Sequence, residues 1–504
     1  MHASVATFAI EGVSSHEVTV EVDVRRGLST FTLVGLPDRA IRESRERIRA
    51  ALLNSGLEFP RQRLTVNLAP AHVHKAGASF DLGIAVALLA ASGQVPTEQL
   101  GRYAVCGELS LTGYLRPVRG AIAVALGARG AGYERLLVPP ASAGEAALVE
   151  GVEILAVPNL ARLADLFHGR WLPEPAAPAP PGRPEGPGLD LLDVRGQDDA
   201  KRALRIAAAG GHNLLMVGPP GSGKTMLARR LPSILPPPSF EEALEITQVQ
   251  SVAGLGDGRL ATERPFRAPH HTISPSGLAG GGPFPRPGEV TLAHRGVLFV
   301  DEIAEFSRAA LDALRQPLED RRVEVMRGQR TIEFPASVML VAACNPCPCA
   351  RPGDQCTCGE LELQRYARRL SGPLIDRIDL VCEVAPVPAV ELVGSRPQGA
   401  GSSEAREQVV RARARQRERL RGTAALCNGE MDARLTRRVV PLERRLASRL
   451  LGVGDPALLS GRGQDRVLRV ARTIADLAGQ RRVGVEDLEE ALAYRVPYAV
   501  RAAA

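Results

Sequence analysis

The residues Gly218-Pro219-Pro220-Gly221-Ser222-Gly223-Lys224-Thr225 fit the spacing G-x-x-x-x-G-K-T of loops that cradle phosphates. Glycines at 218, 221 and 223 let the backbone approach a polyphosphate with no Cβ in the way. Lys224 is set to meet the β and γ phosphates, and Thr225 to ligate Mg²⁺. His212–Val217 reads as a buried parallel strand before the loop. The helix-forming run from Met226 would aim its free N–H groups at the phosphates. The chain has three lysines (Lys75, Lys201, Lys224) among 63 basic residues, so the lysine at this spacing is not a by-product of composition. The implied ligands are ATP and Mg²⁺.

A second set of residues agrees. Gly296-Val-Leu-Phe-Val-Asp-Glu302 is an apolar strand ending in two acids, at the edge where ligands collect in parallel sheets. Asp301 would hold Mg²⁺ with Thr225, and Glu302 would orient or deprotonate the attacking water. The apolar run Val338–Cys344 is a third buried strand, and Asn345 after it could sit between the acids and the γ-phosphate; an ordinary turn asparagine before Pro346 fits the same residues. Arg377 stands on a short turn between helix and strand, where it could reach a neighbouring subunit's γ-phosphate. Arg466, on a later helix, could be a second cation reaching the nucleotide.

These residues need scaffolds. A length of 504 residues is too much for one core and implies about three domains. Residues 1–168 carry strand patterns (Val18–Val24, Phe31–Val34, Leu64–Leu68, Leu136–Pro139, Val152–Ala156) and helices over Asp38–Leu53 and Phe80–Ala91, a small α/β domain. Residues 169–188 are a proline-rich spacer with no core of its own. Residues 189–395 alternate strand and helix around the phosphate loop, a doubly wound parallel sheet. Residues 396–504 are helical, with helices over Ser403–Arg421, Asp465–Gln480 and Val485–Tyr494. The formal net charge of +7 is compatible with a polyanionic partner. No apolar run reaches a membrane span, no secretion signal opens the chain, and the eight cysteines do not form a secreted disulfide frame, so the expected compartment is the cytoplasm.

The order phosphate loop, Val-Asp-Glu, Asn345 and Leu-Ile-Asp-Arg377 resembles an AAA+ ATPase. Arg264-Pro-Phe-Arg-Ala-Pro-His-His, Gly280-Gly-Gly, Leu314-Arg-Gln-Pro-Leu-Glu-Asp320 and Asn345-Pro-Cys-Pro-Cys349 narrow it to the magnesium-chelatase-like proteins of the YifB/ComM type. The opening runs Gly35-Leu-Pro-Asp38, Val66-Asn-Leu-Ala-Pro70 and Gly107-Glu-Leu-Ser-Leu111 extend that resemblance over almost the whole chain. It implies a homo-hexameric ring related to the chelatase and MCM branches, and for ComM a DNA branch-migration helicase in natural transformation. The competing readings are a chelatase-type motor that remodels a protein partner, and a regulatory ATP-binding scaffold.

The first domain also resembles the Lon protease fold. Lys75-Ala-Gly-Ala-Ser79 is similar to the segment holding Lon's nucleophilic serine, but the place of Lon's lysine is taken here by Val124. A serine without a base is a weak nucleophile, so no peptidase activity is expected.

Arg321–Phe334 reads as a β-hairpin with a Gly328-Gln329 turn, and such hairpins line the pore in the MCM-like branch. Arg327 and Arg330 flank its tip and could track phosphates without sequence preference; a solvated turn fits the same pattern. Arg267, in the excursion Phe266–Gly282 with His270 and His271, is a further candidate DNA contact. Cys347, Cys349, Cys356 and Cys358 make C-x-C-x6-C-x-C, four thiolates that could enclose Zn²⁺ or remain free thiols. The arginine-rich helix at 403–421 reads as a solvated or inter-subunit face.

Overall fold

The structure is a computed structural model. It describes all residues except 183–187, 283–284, 328–329, 352–354, 370–371, 388–399, 442, 452–460 and 496–504. Seven strands form the first sheet: β1 (His2–Glu11), β2 (Ser14–Arg25), β3 (Thr30–Val34), β4 (Arg63–Ala69), β5 (Tyr103–Val105), β6 (Arg135–Val138) and β7 (Glu153–Ala156). Their order is β3-β4-β2-β1-β5-β6-β7, antiparallel at β1/β2 and β2/β4 and parallel elsewhere. Alternation in β2 puts Val18, Val20, Val22 and Val24 inward, against the wholly buried helix Asp81–Ala91. The helix expected over Asp38–Leu53 is two: Arg39–Arg42 and Ser44–Asn54 meet at Glu43, with Asp38 capping the first through Ile41 N–H at 2.9 Å.

The proline-rich stretch is laid down rather than free over its first half. Ala176 N–H donates to Ile154 O at 2.8 Å, Ala179 N–H to Gly144 O at 2.8 Å and Gly182 N–H to Leu260 O at 3.0 Å. The chain is thereby led along the first unit to the second. The two units also touch directly. Ser251, on helix Phe240–Ala253, accepts from Gly120 N–H at 2.9 Å and donates to buried Glu145 at 2.5 Å, while Gln248 donates to Val13 O at 2.7 Å.

The central sheet is all parallel, with β8 (Leu214–Val217), β9 (Phe266–Arg267), β10 (Val297–Val300), β11 (Met339–Cys344) and β12 (Leu380–Glu383) in the order β9-β10-β11-β8-β12. β8, β10 and β11 are buried at every position, as continuous apolar runs in a covered parallel sheet should be. Helices Asp198–Gly210, Lys224–Ile234, Ser402–Arg419 and Gly461–Leu477 cover one face, in a core that includes Ala207, Leu227, Val409 and Val470. The arginine-rich helix lays one side on this core and leaves Arg406, Arg411, Arg415 and Arg417 exposed, in keeping with the solvated face expected of them. Ala405, Val409 and Ala412 are fully buried, Arg413 donates to Ala208 O at 3.0 and 3.2 Å, and Gln416 donates to Ala209 O at 3.0 Å. These side chains satisfy carbonyls that helix Asp198–Gly210 leaves open at its end. Among the described residues no helix is long and apolar enough to cross a membrane.

Candidate nucleotide site and arginine face

The phosphate loop leaves β8 at its carboxyl edge. Gly221 and Gly223 have φ of +77° and +94°, a backbone that side chains rarely adopt, and no atom lies within 4 Å of where a Cβ would stand. A Cβ on Gly218, by contrast, would meet Val384 O at 2.2 Å, so the loop can lie this close to β12 only with glycine there. The result is a chain of N–H groups around an open concavity at the start of helix Lys224–Ile234, the donor set a polyphosphate needs. Pro219 and Pro220 form the loop's first half, and Ser222 is buried with no hydrogen-bond partner for its hydroxyl.

Lys224 is nearly buried, and its Nζ donates to Gly218 O at 2.7 Å, to Pro219 O at 2.8 Å and to Asn345 Oδ1 at 3.4 Å. Burial draws its pKa below the ordinary value, and Asp301 partly offsets this. Thr225 donates its hydroxyl to Asp301 Oδ2 at 2.7 Å. Those two oxygens fit a Mg²⁺ ion, a hard cation that takes one or two protein oxygens and completes its shell with phosphate and water. Glu302 is exposed, and its backbone is left-handed at φ +49°. That conformation is costly for a non-glycine residue and clusters at functional sites. Met226, in the helix's first turn, is 40% exposed.

The structure thus brings Lys224, Thr225, Asp301 and Asn345 together at the carboxyl edge of the sheet, with Glu302 beside Asp301. Sequence reading missed Gln197. Its Nε2 donates to Ser222 O at 3.1 Å and Ala385 O at 2.5 Å, tying the phosphate loop to the end of β12. The available signal was the pair Gly196-Gln197 immediately before a helix.

Arg377 and Arg466 are elsewhere. Both line a cleft of about 370 Å³ with Asn213, Asp379 and Arg469. Asn213 precedes β8 and Asp379 precedes β12, so this cleft opens at the amino edge of the sheet, opposite the phosphate loop. A four-residue strand separates the two edges by about 13 Å. Arg466, expected as a second cation reaching the nucleotide, lies on this amino edge rather than beside the phosphate loop of the same chain. It is 8% exposed and its Nε sits 3.7 Å from Asp379 Oδ1, with Arg469 Nη2 at 3.6 Å from the same oxygen. Burial raises the pKa of Asp379, but His212, Arg469 and Arg466 outweigh it and hold the carboxyl well below its usual range. Arg377 pairs with Glu319.

Comparison with known proteins gives the family. The family model for magnesium chelatase, subunit ChlI, matches residues 190–392, and its companions for the ChlI subunit and the ChlI C-terminal region match 20–142 and 399–495. The chain is 42% identical over 499 residues to competence protein ComM of Haemophilus influenzae, covering 98% of this chain and 97% of that one. It is 41% identical over 493 residues to the uncharacterised protein YifB of Escherichia coli, covering 97% and 96%. The chain belongs to the YifB/ComM-type magnesium-chelatase family.

That family is one of AAA+ ATPases, which implies ATP and Mg²⁺ as ligands. Two further likenesses cover only part of the chain. It is 33% identical to Lon protease 2 of Bacillus subtilis over 139 residues, 26% of this chain and 25% of that one. It is 29% identical to the Holliday junction branch migration complex subunit RuvB of Prochlorococcus marinus over 317 residues, 57% and 74% of the two chains. In the Lon-like unit, Lys75 is fully buried and donates to Pro70 O, Ser79 lies in the short turn Ala78–Phe80, and Val124 is buried in helix Ala121–Gly130.

The hairpin expected at 321–334 is present, as strands Arg322–Arg327 and Arg330–Pro335 with Arg327 opposite Arg330. Val323, Ile332 and Phe334 bury its base in a core that includes Val13 of the first unit. The side chains of Arg327 and Arg330, and residues 328–329, lie outside the described set. Arg267 departs from the expected loop contact. It is on β9 and its guanidinium makes a two-pronged pair with Glu289 at 2.6 and 2.8 Å. The rings of His270 and His271 lie with centroids 4.1 Å apart, tilted by 34°, and His270 bonds Thr272 at 2.9 Å. The four cysteines of C-x-C-x6-C-x-C converge, with every pair of Sγ atoms within 4.8 Å, the one such metal-ligating group among the described residues.

Proposed function

We propose that this chain is an ATP-hydrolysing ring motor that moves on DNA, a branch-migration helicase of the ComM type acting in recombination or natural transformation. Lys224 would bind the β and γ phosphates, Thr225 and Asp301 would hold Mg²⁺, Glu302 would activate water and Asn345 would orient it. The observation that carries the motor reading is the separation of two half-sites on one sheet. Lys224, Thr225 and Asp301 stand at the carboxyl edge; Arg377 and Arg466 stand at the amino edge. Copies stacked head to tail would join the two halves, and head-to-tail contacts that close make rings. Each nucleotide would then lie between protomers, with Arg377 and Arg466 completing a neighbour's site. A ring of six is the expected closure.

DNA as the track is supported by the hairpin with Arg327 and Arg330 flanking its tip, and by the likeness to ComM and RuvB. Arg267 is the weaker contact, because Glu289 already neutralises it. The test is the ATPase rate with and without forked or four-way DNA, for wild type and the Arg327→Ala/Arg330→Ala double variant. Stimulation by branched DNA that the variant loses is the expected result. Stimulation by a tetrapyrrole-binding protein instead would favour a chelatase-type motor.

A further inference from the structure

Directly after Asn345 the chain makes a short excursion between β11 and helix Glu360–Arg369, with no helix or strand among its described residues. It has little apolar material of its own; Cys347, 5% exposed, is its one buried cysteine. What converges there is sulfur. Cys347 Sγ lies 3.3 Å from Cys349 Sγ and 3.6 Å from Cys356 Sγ, and Cys349 Sγ lies 3.7 Å from Cys356 Sγ. Cys349 N–H points at Cys358 Sγ at 3.4 Å, closing the two C-x-C ends on each other.

These separations have a chemical reading. A tetrahedral ion with metal–sulfur bonds of about 2.3 Å holds its sulfurs about 3.8 Å apart. Disulfides would need about 2.05 Å, and all eight cysteines are free. A space 4.8 Å across admits one ion but not a cluster of several irons. We propose that Cys347, Cys349, Cys356 and Cys358 bind a single Zn²⁺ as thiolates, and that the ion is a clasp that positions Asn345.

The second half of that proposal rests on the reading of the ATP site. Tyr366, on helix Glu360–Arg369, is buried and donates its hydroxyl to Asn345 O at 3.1 Å. The same asparagine offers Oδ1 to Lys224 Nζ at 3.4 Å. Asn345 is thus gripped on one side by β11 and on the other by a helix whose entry the cysteines fasten. A closed four-thiolate site has no open position for substrate, so the ion's role is structural. Zinc is redox-inert, which suits a staple made of thiolates, and its ligands must be deprotonated to bind it.

The test begins with elemental analysis of the full chain purified under reductant without chelator. Near one zinc per chain is expected, released by a mercurial reagent and read with a zinc-binding dye. Folded wild type with no metal, with iron in its place, or with disulfides between these cysteines would overturn the site, and this measurement needs no variant. Cys356→Ser/Cys358→Ser should lose the zinc. For the clasp, Tyr366→Phe should keep zinc and the KM for ATP while kcat falls, roughly tenfold at the scale of supporting-residue changes. An unchanged kcat in both the Tyr366→Phe and the zinc-free protein would overturn the positioning role. Zinc bound to a wild type that hydrolyses no ATP would sink the nucleotide reading and leave the metal site intact.

Discussion

Asp379 holds Arg466 at 3.7 Å on the amino edge of the central sheet, while Lys224 stands beyond its carboxyl edge. Four residues of buried strand lie between them, and no rotamer change can bridge that span. Arg466 can therefore serve phosphates only on another copy of the chain. The two half-sites make complementation the sharpest test. Lys224→Ala and Arg377→Ala proteins should each be inactive alone, with losses on the order of 10³ or more for an arginine acting on the γ-phosphate. Mixed in equal amounts they should regain measurable ATPase, because some interfaces combine an intact loop with an intact arginine. A mixture as dead as its parts, with ring assembly kept, would refute the shared site.

Glu302 should separate binding from chemistry. Glu302→Gln removes the base but leaves Lys224, Thr225 and Asp301 in place. ATP turnover should fall about 10²–10⁴-fold, the usual worth of a positioned general base, while fluorescent-nucleotide affinity stays near wild type. Equal losses in both would mean that Glu302 binds rather than catalyses.

The hairpin arginines should act through charge. Arg327→Ala/Arg330→Ala should weaken single-stranded DNA binding at low salt and lower the slope of log K against log salt by about 1.4, at ~0.7 per phosphate contact. Sequence preference should not change. A slope identical to wild type would place the DNA contact elsewhere.

Glu245 gives a prediction on pH. Burial raises its pKa, but hydrogen bonds from His294 at 3.1 Å and Arg295 at 2.6 Å, and the charge of Arg295, bring it down to about 2. A depressed carboxyl stabilises the fold above its unfolded pKa near 4.5 and loses that contribution as pH falls towards about 2. His294 is itself drawn below its ordinary value by burial, so it is neutral at pH 7 and adds no charge to the pair. Wild type should melt above Glu245→Gln at neutral pH, and the gap should close in acid. The effect should be modest, since the carboxylate is 41% exposed and screened by water.

The sequence by itself determined the local chemistry, because each signal there lies within one short segment. A phosphate loop is a strand, a turn with glycines where φ must be positive, and a helix start, all within about fifteen residues. The paired acids, the Asn345 strand end, the hairpin register and the C-x-C pairs are equally local. Tertiary structure decided what depends on which side of a sheet a residue reaches. Arg466 was legible as a cation on a helix, but only the packing of that helix on the starts of β8 and β12 puts it opposite Lys224. Arg267 was a free arginine until Glu289, twenty-two residues on, took both of its prongs. Gln197 had no chemistry of its own until the fold laid its amide across the phosphate loop. Spacing along a chain fixes what one segment can do; charge pairing and strand order, which join segments far apart, fix for whom it does it.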